Sequence, residues 1–302
     1  MAPVEVEGLT KHYGDVVAND ALSFEVEAGE VFGYLGPNGA GKTTTIRTLM
    51  GFQSPTAGTA RLLGADVRDE GAHIEARRRI GYLPESPAFD ESATGRELLD
   101  LHAAVKGDER RDELLELFSP PLDRPIREYS TGNVQMLGLV QAFMHDPDLV
   151  VMDEPTSGLD PLKVQQFNEF LRGEQRAGTT VFMSSHQLSE VRRVCDRVGV
   201  IREAELVTTE RVDALLRRSG KFVRLRAAEP LDAGDVAMDG VHDVQVRPGD
   251  GDDGVTEMTF TYTGDVNPLV ERVAGYDLLD LDVEEAPLEE VFMRFYGGEA
   301  GA

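Results

Sequence analysis

The sequence predicts an α/β protein with a mostly parallel core sheet, followed by a small C-terminal α+β domain. Three observations carry that prediction. An apolar strand, Val31 to Leu35, runs into a glycine-rich loop, Gly36 to Thr43, and a helix from Thr44 to Met50 runs out of it. A second apolar run, Leu149 to Met152, ends in Asp153 and Glu154. Short uninterrupted apolar runs of this kind mark strands buried on both faces of a parallel sheet. Past about residue 220 the pattern changes to short strand-like and helical segments, so the domains are drawn as 1–218 and 219–302.

Bulk properties narrow the classes. At 302 residues the chain can bury a full core in about two domains. No apolar run approaches the roughly 20 residues that span a bilayer. The start, Met1-Ala2-Pro3-Val4-Glu5, lacks a basic, apolar leader, so a soluble intracellular protein is expected. The single cysteine, Cys195, excludes an internal disulfide and a cysteine metal site, and reads as a small apolar helix residue. The net charge is −25, with acids spread along the chain and lysine only at 11, 42, 106, 163 and 221. A dispersed acidic surface with scarce lysine suggests a halophilic protein, in which high salt screens the self-repulsion. It also argues against a nucleic-acid partner, which a basic stripe would signal.

The chemistry begins at Gly36-Pro37-Asn38-Gly39-Ala40-Gly41-Lys42-Thr43, with Thr44 behind it, which fits G-x-x-x-x-G-K-[ST]. The glycines let successive N–H groups curl around a polyphosphate where a Cβ would intrude. Lys42 supplies a point charge for the β- and γ-phosphates, and Thr43 offers a hydroxyl to Mg²⁺. The helix that Lys42 opens presents its positive end to the same anion.

The remaining elements follow in order. Val4 to Glu7 and Ala21 to Val26 alternate apolar and polar residues and predict half-buried antiparallel strands. Lys11 to Gly14 reads as a turn, and Tyr13 within it reads first as a surface tyrosine, although a flat ring can also stack on a base. Gly51 and Ser54 to Gly58 mark turns, and Ala60 to Leu63 a short strand. Arg77 to Arg79 reads as a solvated face before the strand at Ile80, which ends in Pro84-Glu85. Thr94, with Glu97 three residues on, caps a helix over Gly95 to Lys106. A helix over Asp112 to Phe118 is followed by Pro120, Pro121 and Pro125, so about 86–130 reads as a helical insert.

Ser130 then caps a helix running to about His145; with Gly132 it makes a second place for an anion, though alone it is only an N-cap. Asp153, at the end of its strand, is placed to meet Mg²⁺, and Glu154 to take a proton from attacking water. Pro155 to Pro161 is a loop and Pro161 to Ala177 a helix. Thr180 to Ser184 is another buried strand, followed by His186, which alone reads as an exposed loop histidine rather than a phosphate ligand. Strands at 197–201 and 205–209 close the domain.

These motifs, in this order, resemble the ATP-binding subunit of an ABC transporter over about residues 2–215. The fold implied is the P-loop NTPase ABC-type nucleotide-binding domain, with an antiparallel β subdomain and a helical insert. The segment Pro287 to Gly297 resembles the closing stretch of subunits that pair with ABC-2-type permeases. The resemblance implies that Tyr13 stacks on adenine, reversing the first reading, and that residues 36–44 hold the phosphates of ATP. It implies Asp153 beside Mg²⁺ and Glu154 as general base, with His186 as the switch histidine. Glu85 stands where the family has glutamine touching metal or water, and Asp160 lies in a loop crossing a dimer interface. Ser130 and Gly132 match the signature that reaches the γ-phosphate bound to an opposite subunit. The departures are Glu85 itself, Thr131 in place of a glycine, and Met136 where an arginine is common. The expectation is a homodimer enclosing two ATP molecules head to tail, on the cytoplasmic face of the membrane with a separately encoded permease. The alternative is a soluble ABC ATPase of the translation or DNA-repair type; a single cassette without a heptad-repeat insertion disfavours it.

Beyond 220, strands are expected at 222–225, 241–246, 258–262 and 278–283, and helices at 266–274 and 288–295. Pro248 to Gly254 reads as an acidic hairpin loop rather than a calcium site, since no glutamate is placed to ligate.

Overall fold

The computed structural model describes residues 1–248 and 254–285. The chain divides into two units, Met1–Arg211 and Val212–Ala302.

The first unit opens with β1 (Val4–Tyr13) and β2 (Val16–Val26), joined by a tight turn at Gly14-Asp15. β3 (Val31–Leu35) leads to α1 (Lys42–Leu49), then β4 (Ala57–Leu62), β5 (Ala65–Asp66), α2 (Glu70–Arg77) and β6 (Ile80–Leu83). The helical insert holds α3 (Gly95–Lys106) and α4 (Arg111–Phe118), and α5 (Thr131–Phe143) returns the chain to β7 (Leu149–Asp153). α6 (Pro161–Ala177), β8 (Thr180–Ser185), α7 (Leu188–Val194), β9 (Arg197–Arg202) and β10 (Glu205–Arg211) complete it.

Two sheets result. β2-β1-β4-β5 is antiparallel, and β10-β9-β3-β8-β7-β6 is parallel except for β10. β3, β7 and β8 are buried at every position, as strands covered on both faces must be. A stack of aromatic rings joins the sheets: Phe24 of β2 lies 5.9 Å from Phe32, 5.4 Å from Tyr34 and 5.9 Å from Phe182. Parallel register pairs Leu35 with Ser185 and Asp153 with Ser184, so β3, β7 and β8 end together. Open parallel sheets bind ligands at this carboxyl edge.

Several elements match their expected bounds because the local signals are complete. Thr94 and Glu97 form the reciprocal capping box of α3. α6 starts with Pro161 behind the Asp160 cap and ends at Gly178 in the left-handed region. The differences are also local. Lys11 to Tyr13 belong to β1 rather than a turn, because Lys11 and Tyr13 pair with Asn19 and Val16. α2 and α7 lie in stretches for which the sequence reading assigned no element; α2 buries only His73 and Ala76, too little for an apolar stripe. Cys195 is the buried residue just past α7, in extended conformation, rather than within a helix.

A bidentate pair ties the insert to α6. Arg110 Nη1 and Nη2 donate to Glu174 Oε2 and Oε1 at 2.6 and 2.7 Å. Glu174 is buried, and these bonds raise the pKa of Arg110, keeping it charged.

The second unit contains α8 (Val212–Ser219), β11 (Lys221–Ala227), β12 (Val241–Pro248), β13 (Thr256–Tyr262), α9 (Val266–Val273) and β14 (Leu278–Glu285). Its antiparallel sheet runs β12-β13-β11-β14. Val223, Leu225, Met258, Phe260 and Tyr262 face Leu269 and Val273 of α9 to form its core. The acidic loop residues 249–253, the helix expected at 288–295 and the segment 287–297 lie outside the described residues.

Candidate functional site

The phosphate loop follows β3 without slack. Gly36 N donates to Ser185 O at 3.2 Å, and a Cβ at Gly36 would lie 2.3 Å from Ile201 O. Gly41 has φ 109°, and a Cβ there would meet Ala18 O at 2.2 Å. Both positions therefore require glycine. Gly41 caps α1 without a side-chain acceptor, so no side chain of the cap satisfies the first amide donors of the helix. Lys42 is buried, with Nζ 2.7 Å from Gly36 O and 3.3 Å from both Pro37 O and Glu154 Oε1. Asn19 supports the loop from below, donating to Gly41 O at 3.2 Å and Thr45 Oγ1 at 3.0 Å.

Two carboxylates approach from β7. Asp153 is 1% exposed, and its Oδ1 accepts from Ser184 Oγ at 2.5 Å. Glu154 is buried and left-handed, with φ 48°, a conformation costing a non-glycine residue about 1–2 kcal/mol. Its N–H donates to Ser184 Oγ at 3.0 Å. Its Oε2 accepts from His186 Nδ1–H at 2.8 Å and from His186 N–H at 3.3 Å. Glu154 thus stands between an ammonium and an imidazole carried by different strand ends.

Behind this cluster, Thr156 Oγ1 and Ser185 Oγ both donate to Glu190, the latter at 2.8 Å. Gln135 Nε2 donates to Pro155 O at 2.9 Å, tying α5 to the loop after Glu154. A cavity of about 410 Å³ opens beside Glu154, His186, Ser157, Gly158, Gln187 and Arg193.

The other expected site residues stand apart. Ser130 caps α5, accepting from Asn133 N at 3.3 Å, and is exposed. The Gly132 backbone packs on the 155–161 loop, since a Cβ there would come within 3.0 Å of Gly158 O. Among the described residues, no hydrogen bond or ion pair links Ser130 or Gly132 to Lys42, Glu154 or His186. Asp160 is exposed and accepts from Leu162 N and Lys163 N as the cap of α6. Glu85 is exposed past the end of β6. Pro84 and Ser86 on either side of it line a 700 Å³ groove with Phe52, Tyr82, Phe89 and Leu101. Tyr13 is 49% exposed at the end of β1, its hydroxyl donating to Gln53 and its ring under Lys11 Nζ at 5.2 Å. Met136, at the position where the resemblance suggests arginine, is fully buried in α5.

Sequence reasoning missed Gln135, Thr156, Ser184 and Glu190, which hold the cluster from behind. The available signal was a pair of hydroxyls closing an otherwise apolar strand, since buried polar groups require partners.

A family model described as ABC transporter matches residues 19–157. The bacitracin transport ATP-binding protein BcrA of Bacillus licheniformis is 33% identical over 306 residues, covering 98% of this chain and 97% of its own. The Nod factor export ATP-binding protein I of Burkholderia lata is 33% identical over 315 residues, covering 99% and 98%. Among solved structures, an ATP-binding subunit of an ABC transporter is 30% identical, with a TM-score of 0.66 over 71% of this chain and 92% of that one. A dimeric ATP-binding cassette in a post-hydrolysis state, bound to ADP and Pi, shares the fold at 22% identity, with a TM-score of 0.64 over 69% of this chain and 98% of that one.

Proposed function

Because the chain belongs to the ABC transporter family as an ATP-binding subunit, we propose how its residues divide the work of hydrolysis. ATP hydrolysis is coupled to transport, and near-full-length relatives named for bacitracin transport and Nod factor export stand against the soluble alternative. The observation that carries the reading is the convergence of Lys42, Glu154 and His186, with Nζ–Oε1 at 3.3 Å and Nδ1–Oε2 at 2.8 Å.

Residues 36–44 bind the phosphates of ATP, and Tyr13 stacks on the adenine. Lys42 leaves its carbonyl partners for the β- and γ-phosphates, a stronger charge-assisted contact. Glu154 then keeps His186, accepts a proton from the attacking water and holds it while the γ-phosphate departs. His186 orients Glu154 and meets the phosphate.

The donor set fits Mg²⁺ brought in by the nucleotide. Among the described residues no group of three or more acidic, histidine or cysteine side chains could form a metal cage. Mg²⁺ favours one or two carboxylates plus substrate oxygens; Asp153, with Thr43 and Glu85, would supply the protein's share and the nucleotide the rest. When bound, the ion neutralises charge building on the β- and γ-oxygens.

Ser130 and Gly132 serve a second copy. Ser130 is exposed and Gly132 half-buried at the start of α5, and neither hydrogen-bonds to the catalytic trio, which supports a head-to-tail homodimer with Asp160 at its seam. ATP would hold the halves together until hydrolysis releases them. The partner is a separately encoded permease, of ABC-2 type on the strength of Pro287 to Gly297, with the subunit on the cytoplasmic face. The apolar groove beside Glu85 supports a permease contact there. Acidic dispersion supports operation at high salt, and no nucleic-acid partner is proposed.

Glu154→Gln tests the central role. ATP should bind with little change in Kd while turnover falls more than ~100-fold. Turnover within a few-fold of wild type would remove Glu154 as general base.

A further inference from the structure

The buried end of β8 carries one hydroxyl that serves both carboxylate positions. Ser184 is fully buried, and parallel register sets it opposite Asp153. Its Oγ donates to Asp153 Oδ1 at 2.5 Å and accepts from the Glu154 N–H at 3.0 Å. A hydroxyl has one proton and two lone pairs, so these two bonds fix its polarity: the proton points at Asp153 and a lone pair at Glu154.

The second bond explains how Glu154 keeps its backbone conformation. At φ 48° the residue has left the strand geometry of β7, and its N–H would otherwise be buried without an acceptor. Ser184 replaces the lost ladder acceptor with its side chain. The Glu154 carboxylate is thereby delivered between Lys42 and His186, at 3.3 and 2.8 Å. The first bond holds one oxygen of Asp153 and so restricts rotation of the carboxylate.

We propose that Ser184 is a positioning residue for ATP hydrolysis, orienting Asp153 through its proton and locking the left-handed turn at Glu154 through its lone pair. This rests on the roles proposed above for Asp153 and Glu154. It predicts a defect that divides between turnover and metal dependence, whereas a packing role would lower only the amount of folded protein.

The test uses the full chain with three substitutions. Ser184→Cys keeps the volume and loses the strong hydrogen bonds, Ser184→Ala removes the polar atom, and Ser184→Thr restores the hydroxyl. Ser184→Cys and Ser184→Ala should lower kcat by 10-fold or more, with the KM for ATP changed less than 3-fold. They should also raise the Mg²⁺ concentration at half-maximal rate by at least 3-fold. Ser184→Thr should recover most of the rate and the metal dependence. Wild-type kcat and metal dependence in folded Ser184→Cys would overturn the proposal. So would losses in all three variants that track thermal stability alone. If Ser184→Ala does not fold, Ser184→Cys against Ser184→Thr decides. Glu154→Gln, run alongside, separates the layers. A fully active Glu154→Gln removes the general base itself, while an inactive Glu154→Gln beside a normal Ser184→Cys removes only the serine.

Discussion

Two helices in this chain begin where an anion can bind, and they are furnished differently. α1 opens at Gly41 without a side-chain cap, with Lys42 buried beside it and Glu154 3.3 Å from the ammonium. α5 opens at exposed Ser130, whose hydroxyl caps its own helix and meets no cation or carboxylate of the site. A helix N-terminus draws anions weakly by itself. What makes α1 a site is the company that strand ends β7 and β8 provide. α5 has the amide donors without that company, as one wall of a site needs when the rest comes from another molecule.

The sharpest way to break this contrast is to disable each helix start in turn. Lys42→Ala should weaken ATP binding by ~100-fold or more, since it removes the buried ammonium beside the glycine-rich loop. Gly132→Asp should leave ATP binding by the isolated subunit within about 3-fold while abolishing turnover, because in the proposed dimer Gly132 meets a second copy's nucleotide; the new side chain also crowds Gly158 O, 3.0 Å from a Cβ there, so the thermal midpoint is read alongside. Fluorescent-nucleotide titration and phosphate release read both quantities. Equal loss of binding in both variants would make α5 part of the same chain's site.

The helical insert that presents α5 is anchored by the Arg110–Glu174 pair. Arg110→Ala strands a buried carboxylate and should cost about 3 kcal/mol by urea unfolding. Arg110→Lys should recover part of that, without the bidentate geometry.

A second anchor is pH-sensitive. His102 Nε2 lies 3.4 Å from His145 Nδ1. Burial, reinforced by the charge of Lys106, pushes His102 down to about 4 and His145 down to about 3. Both values lie below the unfolded value near 6.5, so the unfolded chain binds more protons as pH falls. The stability these neutral rings contribute is complete above about pH 6.5 and is lost as pH falls from there towards 4. Thermal midpoints between pH 7 and 4.5 should decline, and His145→Gln should flatten the decline. Lys106 itself, lowered to about 8 by burial, stabilises the fold as pH rises from about 8 towards 10.5.

The smallest expected effect is at the base. Tyr13→Ala should weaken ATP binding only a few-fold, about 0.5–1.5 kcal/mol, with the ring half exposed on the surface.

Much of the first unit was legible because its strongest signals are local. β3, β7 and β8 announce themselves as apolar runs, and α3 by the Thr94–Glu97 capping box. What escaped depends on pairing and burial at a distance. β1 and β2 are longer than their alternation, because cross-strand pairs near the turn extend them through Lys11 to Tyr13. α2 and α7 lack a stripe of large apolar residues over enough turns to separate them from loops. At the site, the motif residues were readable from their spacing, while Ser184 and Glu190 were not. Ser184 matters through the strand register that sets it opposite Asp153, and Glu190 through the buried hydroxyl it accepts from.

The claim that α5 completes another copy's site is tested most directly by light scattering on Glu154→Gln, alone and combined with Gly132→Asp, with and without saturating Mg·ATP. Glu154→Gln should weigh twice the monomer mass with ATP and one monomer without it. The double variant should stay monomeric while still binding ATP. A Glu154→Gln subunit that remains monomeric with ATP bound, or a double variant that dimerises as readily, would contradict the account.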